Sequence, residues 1–386
     1  MKIGILTLPL HTNYGGILQA YALQTVLRRM GHEVYVIHLK RDEIPNFSWK
    51  KKILCYTKRF LFRYILGKKT FPVFYEENER KALPRIRQNT NRFIKKYINY
   101  YFINSFEDIG NEKIFDAYVV GSDQIWRKNC SPWSIGNSFL QFDKRSDTLK
   151  IAYAASFGFD KWDFSIEQTE ICRELAQRFD TISVREKSGV ELCQKYLGVC
   201  AKWVLDPTML LTVKDYQKLV DEVKVPESGG KLMVYILDME KEKVWIVNEI
   251  SKKRGLTPFS ANKRVYDYFA PIEERTQPPV ESWLRGFTDA EFVITDSYHG
   301  CVFSILFHKP FIVLWNEGRG LERIKSLLEM FNLKDRLIAS PQDATKIQND
   351  IDWESIDGIL EEKRKESIAT ILPFFHTFLP KSNNNR

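Results

Sequence analysis

The chain has 386 residues, 44% of them hydrophobic and 28% charged, the make-up of a soluble globular protein with room for two cores. No run of eighteen apolar residues occurs, which excludes a membrane-spanning helix read from sequence. The net charge of +9 is concentrated in Lys50–Lys69, which carries eight basic residues and no acidic one. So local a patch excludes the broad basic face of a nucleic-acid binder.

Met1–Leu10 reads as a buried strand and lacks the cationic start and cleavage site of a secretory leader, so a cytoplasmic protein is expected. Ile3–Leu8 is apolar, Gly15 and Gly16 follow, and Ile17–Met30 has apolar residues at helical spacing before a β-branched run at Glu33–Leu39. This β-loop-α-β opening predicts a right-handed crossover into a parallel sheet. Within 50–69, Ile53, Leu54, Phe60, Leu61, Tyr64 and Ile65 fall on one helical face flanked by Lys51, Lys52, Lys58 and Arg59. A basic amphipathic helix of this kind suits an anionic membrane surface, or else packs on the first domain.

Further buried strands are predicted at Ala117–Val120, Ile151–Ala155 and Thr181–Val184, with helices near Ile166–Arg178 and Lys187–Tyr196. A second alternating set starts near residue 206. Its strands are Leu232–Leu237, Phe292–Thr295 and Phe311–Leu314, and its helices include Pro279–Phe287, Gly300–Phe307 and Leu321–Met330. Two such sets predict an α/β protein of two Rossmann-like domains facing a cleft, residues 1–205 and 206–345, with closing helices over 346–380 and a disordered tail at 381–386. Six cysteines scattered without a CxxC pair are expected as free thiols, and no cluster suggests a metal site.

Ligands of such sheets sit beyond the carboxyl ends of the strands, so polar residues there are the candidates. Asn13, Tyr14, Gly15 and Gly16 follow the first strand; the glycines permit close backbone approach at a helix start that favours an anion, although a bare tight turn reads equally. The loop is no GxGxxG, which argues against a dinucleotide. Ser122, Asp123 and Trp126 follow Ala117–Val120 and suit sugar hydroxyls and a stacked ring; the structural alternative is a helix cap with Trp126 in the core. Arg185, after Ser183-Val184, offers a planar fork of donors for carboxylate or phosphate, or else an ion pair with a Glu. Asp296, Ser297 and His299 follow Phe292–Thr295, where an imidazole at a helix start is well placed for proton transfer.

Together these segments resemble the polysaccharide pyruvyl transferases. The residues that carry the likeness are Asn13–Tyr21, Val119–Trp126, Ala152–Gly158, Ser183–Glu186, Leu205–Thr208 and Thr295–Gly300, in the family's order. The resemblance implies a fold similar to B-type glycosyltransferases, with residues 1–205 expected on the acceptor side and 206–345 on the donor side, phosphoenolpyruvate as co-substrate, no other cofactor, and transfer of a pyruvyl group to two hydroxyls of a sugar in a surface or capsular glycan precursor. It also implies donor-site roles for Arg185 and for His299, the last residue of an Arg-x-His triplet. Ser297 stands where the triplet has Arg, so Arg319 and Arg323 are the candidate replacements. Arg185 would then hold an anionic group, His299 would act as general acid and Asp123 as base toward a lipid-linked acceptor. A nucleotide-sugar glycosyltransferase and a non-catalytic glycan-binding protein are the alternatives.

Overall fold

A computed structural model of the chain describes residues 1–68, 71–110, 112–128, 130–338, 341–344 and 350–375. The tail expected at 381–386 and parts of the closing segment therefore lie outside the described residues. Strands β1 (Lys2–Leu6), β2 (Glu33–Leu39), β3 (Tyr100–Ile103), β4 (Ala117–Val120), β5 (Leu149–Ala155), β6 (Thr181–Val184) and β7 (Lys202–Trp203) form one parallel sheet in the order β3-β2-β1-β4-β5-β6-β7. Strands β8 (Leu232–Tyr235), β9 (Pro258–Phe259), β10 (Phe292–Thr295), β11 (Phe311–Leu314) and β12 (Leu337–Ile338) form a second, in the order β12-β11-β10-β8-β9. Every residue of β4, β8, β10 and β11 is buried. Their unbroken apolar runs are what a parallel sheet covered on both faces requires.

The strand order reverses between β1 and β4 in the first sheet and between β8 and β10 in the second. Such switch points open a crevice beyond the strand ends. The loops leaving these four strands carry Thr7–Asn13, Gly121–Asp123, Ile236–Asp238 and Asp296–His299.

Contacts between the halves are specific. Tyr14, at the start of helix α1 (Tyr14–Arg29), donates its hydroxyl to the carbonyls of Ala261 (3.1 Å) and Pro278 (2.9 Å). The Gln277 amide donates to the carbonyl of Thr12 at 3.2 Å. Helix α2 (Trp49–Phe60) and a π-turn at Leu61–Ile65 lead to α3 (Tyr75–Ile86), whose Glu79 makes a buried two-pronged pair with Arg275, both bonds 2.7 Å. At the other end of the chain, α4 (Trp353–Ala369) packs where the two halves join. There Ser367 Oγ accepts from the Leu205 amide at 3.0 Å, and Arg364 donates to the carbonyls of Met209 and Leu211. Phe375, in the short helix Leu372–Phe375 that follows, packs on His32 with ring centres 5.1 Å apart.

The 50–69 segment differs from its sequence reading in one respect. It is helical and none of its helical residues is buried, with Ile53, Leu54, Tyr64 and Ile65 all more than half exposed. Two of the four flanking cations, however, are taken up by α3: Arg59 is held by Glu76 at 2.7 Å and Lys52 by Glu77 at 3.2 Å. Lys69 lies outside the described residues. No helix among the described residues is long and apolar enough to cross a membrane.

Candidate active site

The side chain of Arg185 is fully enclosed at the end of β6. Its Nη2 donates to Asp123 Oδ1 at 2.7 Å and its Nη1 to Asp206 Oδ2 at 2.8 Å, while its Nε has no partner among the described residues. The ion pair is therefore with two aspartates from other strand ends, not with the neighbouring Glu186. Asp206 also accepts from Ser122 Oγ (3.0 Å), Thr208 N (3.0 Å) and Thr208 Oγ1 (2.7 Å). Burial alone would raise the pKa of Asp206, but His299, Arg185 and Thr208 outweigh it and hold the carboxyl far below the usual range. The same contest, won by Arg185, Arg323 and His299, keeps Asp123 ionised. Burial pushes Glu186 the other way, although its Oε1 accepts from the amides of Phe157 and Gly158.

Arg323 is a second buried cation of this cluster. It lies on helix α5 (Leu321–Met330), and its guanidinium and that of Arg185 lie 5.4 and 4.6 Å from the centre of the Tyr298 ring. Arg323 is 6% exposed, its Nη1 is 3.7 Å from Asp123 Oδ1, its Nη2 donates to the carbonyl of Arg319, and its Nε has no partner among the described residues. Burial and the charge of Arg185 lower its pKa to about 10, so it remains a cation at neutral pH. Arg185 has two carboxylates within hydrogen-bonding distance, whereas the nearest to Arg323 is Asp123 at 3.7 Å.

His299 joins this cluster from the second sheet. It lies in the first turn of helix α6 (Tyr298–Leu306), 5% exposed, with Nε2 3.7 Å from Asp206 Oδ2 and without a hydrogen-bond partner among the described residues. The first turn of α1 closes on its other side: a Cβ at Gly15 would fall 2.0 Å from His299 Nδ1. Glycine at position 15 is thus what lets the imidazole of one half reach the helix start of the other. Gly121 has a comparable role at φ 128°, where a Cβ would meet the Tyr153 carbonyl at 2.1 Å.

Several residues singled out in the sequence lie elsewhere. Trp126 is fully buried, stacked on Phe139 at 4.5 Å and donating its indole N–H to the Ser138 carbonyl, so it is core and offers no face to a sugar. Asp296 is saturated by the amides of Leu237 and Asp238, by Lys243 Nζ and by Asn316, and holds the β8 and β10 loops together. Ser297 caps α6 by accepting from the Gly300 amide. Arg319 is exposed at the rim and bound in two prongs to Asp238, so of the two replacement candidates only Arg323 is under-paired. Tyr14 spends its hydroxyl on the second half. Asn13 and Gly16 line open space. Asp206 and Tyr298 were not singled out, although both stand in segments that carry the family likeness. Their importance comes from partners up to 113 residues away, a relation no local pattern contains.

Two cavities flank the β1–α1 loop and share His11 and Asn13. One, about 320 Å³, is bounded by the ends of β1 and β2 and the Cys130–Trp133 segment, with Asp123 in its lining. The other, about 380 Å³, is bounded by the ends of β8 and β9 and includes Lys263, Arg264 and Arg319. Among the described residues no three His, Cys, Asp or Glu side chains are grouped as a metal site.

The family model described as polysaccharide pyruvyl transferase matches residues 13–318. No curated protein matches the chain. Among solved structures, a Staphylococcus aureus MnaA–UDP complex is similar at 12% identity and a TM-score of 0.50, covering 97% of this chain and 96% of that one. A UDP-GlcNAc 2-epimerase from Methanocaldococcus jannaschii is 11% identical with a TM-score of 0.46, covering 97% and 100%. Medicago truncatula UGT71G1 with UDP-glucose is 8% identical with a TM-score of 0.47, covering 97% of each chain. At these identities the first of the three bears on the fold alone, an α/β architecture shared over nearly the whole of both chains.

Proposed function

Because the chain belongs to the polysaccharide pyruvyl transferase family, we propose that it moves the pyruvyl unit of phosphoenolpyruvate onto two hydroxyls of one sugar in a surface-glycan precursor, releasing phosphate and leaving a pyruvate ketal. The observation that carries this reading is Arg323, a buried cation with no carboxylate in hydrogen-bonding distance, beside the same Tyr298 ring as Arg185. A donor with two anionic groups, a carboxylate and a phosphate, suits two neighbouring guanidinium groups. Arg323 takes one anionic group through its free Nε. Arg185 contributes its own Nε and keeps Asp123 and Asp206 ionised.

The reaction needs a proton on the donor's methylene carbon, which makes the central carbon electrophilic. His299, unpartnered at Nε2 beside Asp206, is the proton donor in this reading. One sugar hydroxyl then adds to the central carbon, surrendering its proton toward Asp123. The carbon–oxygen bond to phosphate breaks, the phosphate leaves with its electron pair and takes up the proton held by Asp123, and the second hydroxyl closes the ketal as its proton passes to His299, which is now neutral. The proposal is tested by following phosphate release with and without a glycan acceptor. Release from phosphoenolpyruvate that requires the acceptor supports it; consumption of a nucleotide sugar with phosphoenolpyruvate untouched overturns it.

The exposed apolar helix suits a lipid-linked acceptor. Ile53, Leu54, Tyr64, Ile65 and Leu66 are each more than half exposed, and Lys50, Lys51, Lys58 and Lys68 lie among them without an acidic partner among the described residues. Apolar side chains ringed by cations favour an anionic leaflet, at about 1 kcal/mol for each Lys near the surface. In this reading the enzyme works peripherally on the inner face of the plasma membrane.

A further inference from the structure

We infer that the cavity between β1, β2 and the Cys130–Trp133 segment is the acceptor subsite, and that it takes a single pyranose ring with Trp133 as its apolar wall. The inference rests on the pyruvyl-transfer reading for the identity of the reaction, and on the cavity itself for the identity of the ligand.

At about 320 Å³ the cavity is of a size for a monosaccharide, and its lining is divided as a sugar's surface is. Leu8, Leu10, Ile37 and Leu39 supply apolar floor, while His11, Arg41, Glu43 and Asp123 supply polar groups. Trp133 is half-buried. Its indole N–H donates to Ser138 Oγ at 3.0 Å and its ring meets Phe106 edge-on at 5.5 Å, so its orientation is set before any ligand arrives. This is the role the sequence suggested for Trp126, displaced by seven residues to the tryptophan that faces open space.

Asp123 decides between the two cavities. It belongs to the lining here and not to the β8–β9 cavity. Its Oδ1 accepts from Arg185 at 2.7 Å and lies 3.7 Å from Arg323. A hydroxyl that meets Asp123 is therefore one side chain away from the cation assigned to the donor. His11 stands beside it. Its Nδ1 accepts the Thr12 amide N–H at 2.7 Å, so the neutral ring carries its proton on Nε2 and is a donor there. Burial, then the charge of Arg87, lowers its pKa to about 4, opposed by Glu43 and Asp123. The cavity thus offers one carboxylate acceptor and one neutral donor at the end nearest the charge cluster, the pairing that two neighbouring hydroxyls require.

Hydrogen exchange of the full-length protein with a panel of methyl hexopyranosides and methyl N-acetylhexosaminides tests the assignment. At least one glycoside should slow exchange in segments 7–13, 37–43 and 130–133. Trp133→Ala should weaken that sugar's binding about tenfold, the usual worth of an aromatic contact, while Trp133→Phe retains most of it and phosphoenolpyruvate affinity stays within about twofold in both. Protection of 236–238 and 262–267 instead, or no protection at 130–133 by any glycoside, overturns the inference. Sugar bound at 130–133 by a protein that never cleaves phosphoenolpyruvate would leave the subsite standing and refute the pyruvyl-transfer reading.

Discussion

Gly15→Ala probes the joint between the two halves with a single methyl group. The added carbon would lie 2.0 Å from His299 Nδ1, 2.3 Å from Cγ and 2.7 Å from Cε1. Packed atoms do not approach this closely, so the imidazole has to retreat by about 1 Å or more. It has little room, since Asp206 Oδ2 is 3.7 Å from its Nε2 and the Tyr298 ring stands edge-on at 5.2 Å. A reacting group misplaced by about 1 Å costs about 10²-fold in rate. Stability should change far less. Ala is better than Gly in a helix by about 0.5–1 kcal/mol, which offsets part of an overpacking cost of about 1–3 kcal/mol. The assay is kcat for phosphate release, alongside thermal unfolding. The decisive comparison is a double-mutant cycle: in a His299→Ala background the methyl has nothing to displace, and Gly15→Ala should cost almost nothing further. Retention of more than half the wild-type kcat in the single variant, or full additivity with His299→Ala, would refute the reasoning.

Four other outcomes follow from the same geometry. Arg323→Met should reduce kcat/KM for phosphoenolpyruvate by about 3 kcal/mol of transition-state binding, whereas Arg319→Met, which loses only a rim pair with Asp238, should cost less than about 1 kcal/mol; steady-state kinetics distinguish them. Trp126→Ala should destabilise the fold by about 3–5 kcal/mol in denaturant titrations without changing glycoside affinity in the folded protein. The depressed pKa of His11 means that the unfolded chain binds a proton between pH 6.5 and about 4 that the folded chain refuses. Stability is therefore full above pH 6.5 and falls as pH drops toward 4, by at most about 3 kcal/mol, and His11→Gln should flatten that slope. Changing Lys50, Lys51, Lys58 and Lys68 to Glu should abolish sedimentation with anionic vesicles at low salt; equal binding by variant and wild type would remove the membrane role from this helix.

Strands buried on both faces were legible because nothing interrupts their apolar runs, and Ala117–Val120, Thr181–Val184, Phe292–Thr295 and Phe311–Leu314 agree residue for residue. The first strand ends at Leu6 rather than Leu8, because Thr7 turns inward to accept from Gln19. Strand Tyr100–Ile103 escaped notice as an edge strand whose Phe102 is exposed, and the helices over 75–97 did so because they are polar and contain Pro84. At the site, polar residues directly after buried strands pointed to Asp123, Arg185 and His299, which come together. Their arrangement was not legible. Arg185 reaches aspartates 62 and 21 residues away, and His299 is seated by a glycine in the other half. Trp126 and Trp133 look alike in sequence, and only packing separates the core residue from the cavity wall.

The most direct test of the central claim is the product itself. The purified protein is incubated with carbon-labelled phosphoenolpyruvate and lipid-linked oligosaccharide from its own cells, and the glycan is analysed by mass spectrometry. Pyruvyl transfer predicts a gain of three labelled carbons on one sugar, held as an acid-labile ketal, with one phosphate released for each. A glycan that gains an unlabelled hexose from a nucleotide sugar, with the phosphoenolpyruvate recovered intact, would contradict it.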